Sequence, residues 1–501
     1  MKNLGKVRII GLCAMLCAGM IMVAGCSKPG TTGGGADKGY DLYIFNSKGE
    51  NAAQFEAMAK AFQAETGVRV KVFSIGSGAE QIGPLTTEMN SKNMPVIYSI
   101  QGIKELNMWL DGGYVTDLST VDHPAFAKLV ADITPSFRMT LGGSESYGIP
   151  YNIEGYGYIA DRLMIADIFG QENTDAVILS IKTATYAEWE ALVKALDAWI
   201  KSPSAATVTL SGKPYTLAAA KTGRAENLTG VFTFAGALRW TYGDHFINVA
   251  MNAVLSSPEA TLMATADQIR QLKGPFIAYA KALDLKSTYM AGKNGPAHRG
   301  QDLVSPANYG YDQVVQLFAE GKGIFLKQGN WAYNNIANVN QEMAERLTFL
   351  PIKMPFTQGD ITVPGLTVEK MARSIPVFVP NYYAVNALSS AAEKKAAYDF
   401  LVWMNTSPSG QHFIVDEMAF IPYNADPATT TVPNSLGNSI IDYMNAGDML
   451  NGSWLGCPPP WAQDTVGQLI MEQYLTKLVW TEADYTDIAD YAVEQLIKLK
   501  Q

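Results

Sequence analysis

Residues 317–336, LFAEGKGIFLKQGNWAYNNI, carry the pattern from which the rest of the fold can be read. Apolar residues at the end of a helix (Leu317 to Glu320) meet the break Gly321-Lys322-Gly323, and a short apolar strand runs from Gly323 to Lys327. Gly329 breaks the chain again, and a new helix follows whose first turn carries Trp331. Asn330 is placed to cap that helix, because its side-chain oxygen can accept one of the backbone N–H groups left open in a first turn. Such a strand–turn–helix holds a large aromatic just past the carboxyl end of a strand, where open α/β sheets place their ligands. Residue type alone leaves Trp331 between a ligand platform and a core side chain.

Upstream, residues 41–100 supply the matching architecture. An apolar run at 41–45 precedes a polar turn at 46–51, and a helix follows with Phe55, Met58, Ala59 and Phe62 at the 3, 4, 7 spacing. Gly67 stops that helix, and Val68 to Phe73 alternates as a second strand. A loop at 75–80 and a helix carrying Leu85 and Met89 lead to a third run at 95–100. Strand, helix, strand, helix, strand is a parallel α/β unit, so the loops beginning near Asn46, Ser74 and Gln101 should share one edge.

The N-terminus is a different kind of segment. Lys2, Lys6 and Arg8 precede an apolar run from Ile9 to Val23 that ends at Ala24-Gly25-Cys26, the form of a secretory signal, too short for a membrane span. Residues 27–39, SKPGTTGGGADKG, read as a flexible tether. Removing residues 1–25 takes the formal charge from −9 to −12, which argues against nucleic acid or an anionic membrane as partner. Of Cys13, Cys17, Cys26 and Cys457, only Cys457 stays within the folded part, so no internal disulfide can form and the core must carry stability. About 475 residues remain, enough for two or more domains.

Catalytic signatures are missing. His123, His245, His298 and His412 lie in separate segments without ligand spacing, and no G-x-S-x-G elbow or phosphate-cradling Gly loop occurs. We therefore expect no catalytic residues, no metal and no cofactor.

The order of segments resembles bacterial extracellular solute-binding proteins, the family 1 sugar-binding group that includes maltose-binding protein. The resemblance rests on KELNMWLDGGYVTDLS at 104–119, SYGIPYNIEGYGYIADR at 146–162, FLPIKMP at 349–355, YYAVN at 382–386, the Ala/Lys-rich helix at 391–404 and a closing helix at 485–500. Residues 317–336 resemble that family's G-x-x-A-M-x-x-x-G-x-W segment, and Val23-Ala24-Gly25-Cys26 resembles a lipobox, in which Cys26 takes the lipid. Residues 166–183, 200–221 and 253–308 depart from the common pattern.

The resemblance implies a two-lobed, hinged α/β fold of the type II-like periplasmic binding class, with mixed and parallel sheets flanked by helices. Residues 1–25 would be the signal and 26–39 the tether. Residues 40–150 with about 370–423 would form the first lobe, and 151–369 with about 424–501 the second. It further implies a monomeric receptor, lipid-anchored to the outer face of the bacterial membrane, that delivers a carbohydrate to the membrane subunits of an ABC importer. The alternatives are a lipid-anchored glycan-degrading enzyme and a receptor for a non-sugar solute such as a peptide.

Sugars present apolar C–H faces ringed by hydroxyls, so flat aromatics and planar hydrogen-bonding side chains are the residues to seek. Those expected in the cleft are Glu80, Gln101, Asn152, Tyr156, Trp240, Asp244, Trp331 and Trp461. Trp240 and Asp244 are four apart and can share a helical face. Tyr156 is preferred over Tyr158, and Trp461, after three prolines, is expected on an exposed turn. Trp109, Trp189 and Trp403 fit core faces of helices, and Trp454 is undecided.

Overall fold

The structure is a computed structural model that describes residues 38–133 and 137–501. The signal segment, Cys26 and all but the last two residues of the tether lie outside the described residues.

Two sheets organise the chain from Tyr40 onward. The first has the order Val70–Ser74, Leu42–Asn46, Ile97–Ile100, Tyr382–Val385, Ile149–Pro150. Its first three strands are parallel, as the strand–helix alternation requires, and the last two join antiparallel. Leu42–Asn46 is buried on both faces and reads as an unbroken apolar run, LYIF, because it has a neighbour on each side and helices above and below. Val70–Ser74 is the edge strand, partly buried throughout with only Lys71 exposed. Helix Ala52–Thr66 buries Phe55, Met58, Ala59 and Phe62, and Gly67 closes it in the left-handed region at φ +78°.

The second sheet is built on Glu154–Asp161, buried along its whole length. Phe325–Gly329 runs antiparallel on one side, with Leu347–Leu350 and Ile375–Phe378 antiparallel on the other. Phe232–Thr233 lies parallel to Phe325–Gly329, and Met449–Leu450 lies parallel to Ile375–Phe378. These five strands therefore point their carboxyl ends the same way, opposite to Glu154–Asp161, and four of them lead towards the cleft. Their continuations lead to Trp240, Trp331, Phe378 and Trp454.

The chain passes between the sheets at Tyr151–Ile153 and again at Val379–Asn381. Ile375–Phe378 still pairs with the second sheet, so this return falls later than about residue 370. A third passage is marked by the bridge Ile153–Ile421, after which helix Ser435–Asn445 packs on the second sheet through Ser439 and Tyr443.

The departing segments belong to the second sheet's side. Residues 166–183 form helices with buried faces, and 200–221 hold the hairpin Thr207–Leu210 with Lys213–Thr216. In 253–308, helix Lys273–Thr288 packs along the closing helix Glu482–Leu499, and Met290–Ala291 with Pro296–Ala297 extends the sheet edge.

Candidate ligand-binding cleft

Between the carboxyl ends of the two sheets lies a cavity of about 450 Å³, within the range of small-molecule sites. The first sheet contributes its three predicted loops: Lys48 and Glu50 after the first strand, residues 78–83 after the second, Gln101 and Lys104 after the third. The second sheet contributes Trp240, Asp244, His245, Tyr311, Trp331, Phe378 and Trp454.

The aromatic side is a bowl centred on His245. Its ring lies 5.1 Å from Trp240, 5.1 Å from Trp331 and 5.2 Å from Trp454, centroid to centroid. Beneath, Tyr156 stacks on His245 at 4.5 Å. Trp240 and Trp331 meet at 6.1 Å and 64°, so their faces form two walls. Trp331 Nε1 donates to Gln328 Oε1 at 3.0 Å, which fixes the indole plane from the strand side. Gly329 permits that placement, because a Cβ there would sit 2.1 Å from the Trp331 ring. Asn330 does not cap the following helix. Its Oδ1 accepts from Gly155 N at 3.1 Å and ties the turn to the central strand instead.

Charge is concentrated on the facing side. Lys48 donates to Glu154 Oε1 from a buried position, and Asn152 Nδ2 donates to the same oxygen at 3.2 Å. Lys104 Nζ faces Asp244 Oδ1 at 3.7 Å, and Gln463 Nε2 donates to Asp244 Oδ2 at 2.7 Å. Burial pushes the Asp244 and Glu50 carboxyls up, against Lys104 for the first and Lys48 for the second. Burial also pushes His245 well below the usual imidazole range, helped by Lys327, Lys48 and Lys104, so its ring is neutral at pH 7. Lys327 Nζ has no protein hydrogen-bond partner and lies under the bowl, 4.7 Å from the Tyr156 ring.

The residues expected in the cleft divide. Glu80, Gln101, Trp240, Asp244 and Trp331 line it together. Glu80 is also a helix cap, its carboxylate accepting from Ile82 N and Gly83 N. Asn152, Tyr156 and Trp461 do not line it. Asn152 is buried behind Glu154 and orients that carboxylate. Tyr156 is fully buried under His245, its hydroxyl donating to His245 O at 2.7 Å and accepting from Asn248 Nδ2 at 2.8 Å. Trp461 is fully buried, with Nε1 donating to Ala492 O at 2.9 Å and its ring 6.0 Å from Phe276. The three prolines do make an outward turn, but Pro459 is its cleft-facing residue, and Trp461 turns inward to fasten the closing helix.

Residues missed from sequence include His245, Lys48 and Lys104, and Trp454, undecided from sequence, also lines the cleft. Lys48 sits in the loop already assigned to the cleft edge. From sequence, His245 offers itself only as a metal ligand or catalytic base, although its neighbour Asp244 is a cleft candidate.

The family model for bacterial extracellular solute-binding proteins matches residues 57–435. The chain belongs to this family. Solved structures of solute-binding proteins share its fold at low identity. A solute-binding protein RafE in complex with raffinose is 16% identical, at a TM-score of 0.61, with 92% of this chain and 99% of that one aligned. A chitin oligosaccharide binding protein is 16% identical at 0.57, aligning 90% and 98%. The GacH receptor of Streptomyces glaucescens, solved unliganded and with acarbose, is 14% identical at 0.59, aligning 91% and 97%. No curated protein sequence matches the chain. Like other bacterial extracellular solute-binding proteins it is a mixed α/β chain with sheets flanked by helices. Among the described residues no helix is long and apolar enough to cross a membrane, and no cluster of metal-ligating side chains occurs.

Proposed function

We propose that this solute-binding protein is the extracytoplasmic receptor of an ABC importer and binds an oligosaccharide in the cleft between its sheets. The carrying observation is a bowl of indole faces combined with buried polar atoms that have no protein partner: Trp240 Nε1, His245 Nδ1 and Asn381 Oδ1. Indole faces match the C–H faces of sugar rings, and the ring hydroxyls, donor and acceptor at once, match the polar set. The raffinose and acarbose complexes of two structural neighbours, and a third described as a chitin oligosaccharide binding protein, support this ligand class.

The two sheets are the cores of two lobes: residues 40–150 with about 382–418, and 154–378 with about 421–501. The three passages between them form the hinge. Ligand stabilises the closed arrangement, in which Asn334 Nδ2 meets Asn51 Oδ1 at 3.1 Å and Lys104 meets Asp244. Closure follows occupancy when the ligand favours the closed state by a few kcal/mol, as an order of magnitude. The chain acts as a monomer and holds no catalytic residue, and lipid on Cys26 keeps it near the importer.

Calorimetric titration with raffinose-type, chito- and malto-oligosaccharides tests the reading. Binding with a fitted stoichiometry near one and no hydrolysis products is expected. If no oligosaccharide binds or shifts the melting temperature at millimolar concentration, the sugar assignment fails; product formation would make the protein an enzyme.

A further inference from the structure

Two first-sheet loops that face the cavity share a single buried anchor. Glu105 stands in the first turn of helix Ile103–Asp111 and is fully buried. Its Oε2 accepts from Gln81 Nε2 at 2.7 Å, in the loop after the second strand, and from Gln101 N at 3.1 Å, in the loop after the third. Gln81 and Gln101 both line the cavity, whereas Glu105 does not. The other oxygen, Oε1, is buried without a hydrogen-bond partner.

We propose that Glu105 is a positioning residue whose carboxylate holds both cavity-facing loops in place, so that its ionisation tunes ligand affinity. This rests on the receptor function proposed above. The next residue, Lys104, reaches across the cleft to Asp244, so the turn that carries the anchor also carries a closing contact.

The charged groups that face Glu105 are Lys104 on its own helix and Glu80 on the neighbouring loop. Burial pushes the Glu105 carboxyl up to about 7, opposed by the Gln101 N–H, Lys104 and Gln81 and assisted by Glu80. The group therefore titrates near neutrality. A carboxylate accepts two hydrogen bonds more strongly than the neutral acid, since charge-assisted bonds are the stronger kind. Ligand that needs both loops ordered binds the ionised form better, and by linkage it lowers the carboxyl's pKa. Affinity then rises as pH increases through about 7.

Glu105→Gln keeps an acceptor oxygen for both donors, puts its amide nitrogen where Oε1 stood, and cannot titrate. Glu105→Ala removes the anchor. In titrations of the full mature chain with a bound oligosaccharide, the wild type should gain affinity across neutral pH and Glu105→Gln should be flat. Glu105→Ala should bind about tenfold or more weakly at every pH, the scale of a hydrogen bond to a charged group. Amide exchange at Gln101, measured without ligand, should be faster in Glu105→Ala than in wild type and nearly restored in Glu105→Gln. Equal Gln101 exchange in wild type and Glu105→Ala overturns the proposal, as does the same pH profile in wild type and Glu105→Gln. If the wild type binds no oligosaccharide, the receptor reading falls while the Gln101 exchange still decides the anchor. Should Glu105→Ala fail to fold, the Glu105→Gln profile decides it.

Discussion

Trp331 and Trp461 were indistinguishable by residue type, and the atoms around their indole nitrogens separate them. Trp331 donates to Gln328 and leaves a face to the cavity, whereas Trp461 donates to a backbone oxygen inside the closing helix. Trp331→Ala should weaken oligosaccharide binding by about 1–2 kcal/mol with a smaller change in unfolding free energy. Trp461→Ala should do the reverse, destabilising by about 3–5 kcal/mol through the cavity it leaves. Calorimetry and urea unfolding on both variants check the pair; a large loss of stability at Trp331 with unchanged affinity would make it a core residue. His245 gives a pH dependence with a fixed sign. Its folded pKa is depressed, so the unfolded chain takes up a proton first, and stability is complete above the ordinary imidazole value near 6.5. Below that value stability should fall, and His245→Gln should flatten this part of the melting-temperature profile.

At the level of elements, the sequence was most informative where one periodicity served one burial pattern. Helix Ala52–Thr66 and the parallel unit around Leu42–Asn46 follow from spacing alone, because their apolar residues have a single face or a single sheet to bury. The turn after Phe325–Gly329 was located, but its hydrogen bonding was not: Asn330 has a helix start on one side and Gly155 on the other, and only the tertiary neighbour decides. Asn152 and Tyr156 were misplaced for a related reason. They belong to the strand segment that enters the second sheet, and register, not residue type, leaves both out of the cavity while Glu154 between them lines it. Helix Lys273–Thr288 could not be placed from sequence because its polar stripe is narrow and its buried side also carries Lys286 and Ser287. It also carries Lys286, whose Nζ lies 4.0 Å from the rings of both Phe234 and Phe246 without a hydrogen-bond partner. Burial drives its pKa well down, so the unfolded chain binds the proton more readily and folding is penalised at neutral pH. Lys286→Met, similar in volume, should raise stability by on the order of 1–4 kcal/mol at pH 7, with the gain shrinking as pH approaches the ordinary lysine value. Thermal unfolding at neutral and alkaline pH measures both parts; a lower melting temperature at pH 7 would show that the aromatic pair holds the ammonium favourably.

For the whole molecule, polar contacts across the cleft join two sheets whose own cores are apolar. Lys104–Asp244 is the buried one among them that carries opposite charges without hydrogen-bond contact. Lys104→Met should reduce ligand affinity by roughly 2–5 kcal/mol, mainly through faster dissociation, since Asp244 loses its partner charge across the cleft. Stopped-flow dissociation and small-angle scattering with saturating ligand read the two consequences, and an unchanged off-rate would place the pair outside the closing contact. Among the described residues Cys457 is the sole cysteine, buried, its thiol pushed up by burial and therefore unreactive. A single cysteine introduced at the exposed Glu80 rim can thus be labelled alone, without first deleting a native thiol. The protein is in this respect a ready-made optical reporter, in which an environment-sensitive dye on one rim would turn occupancy of the cavity into light.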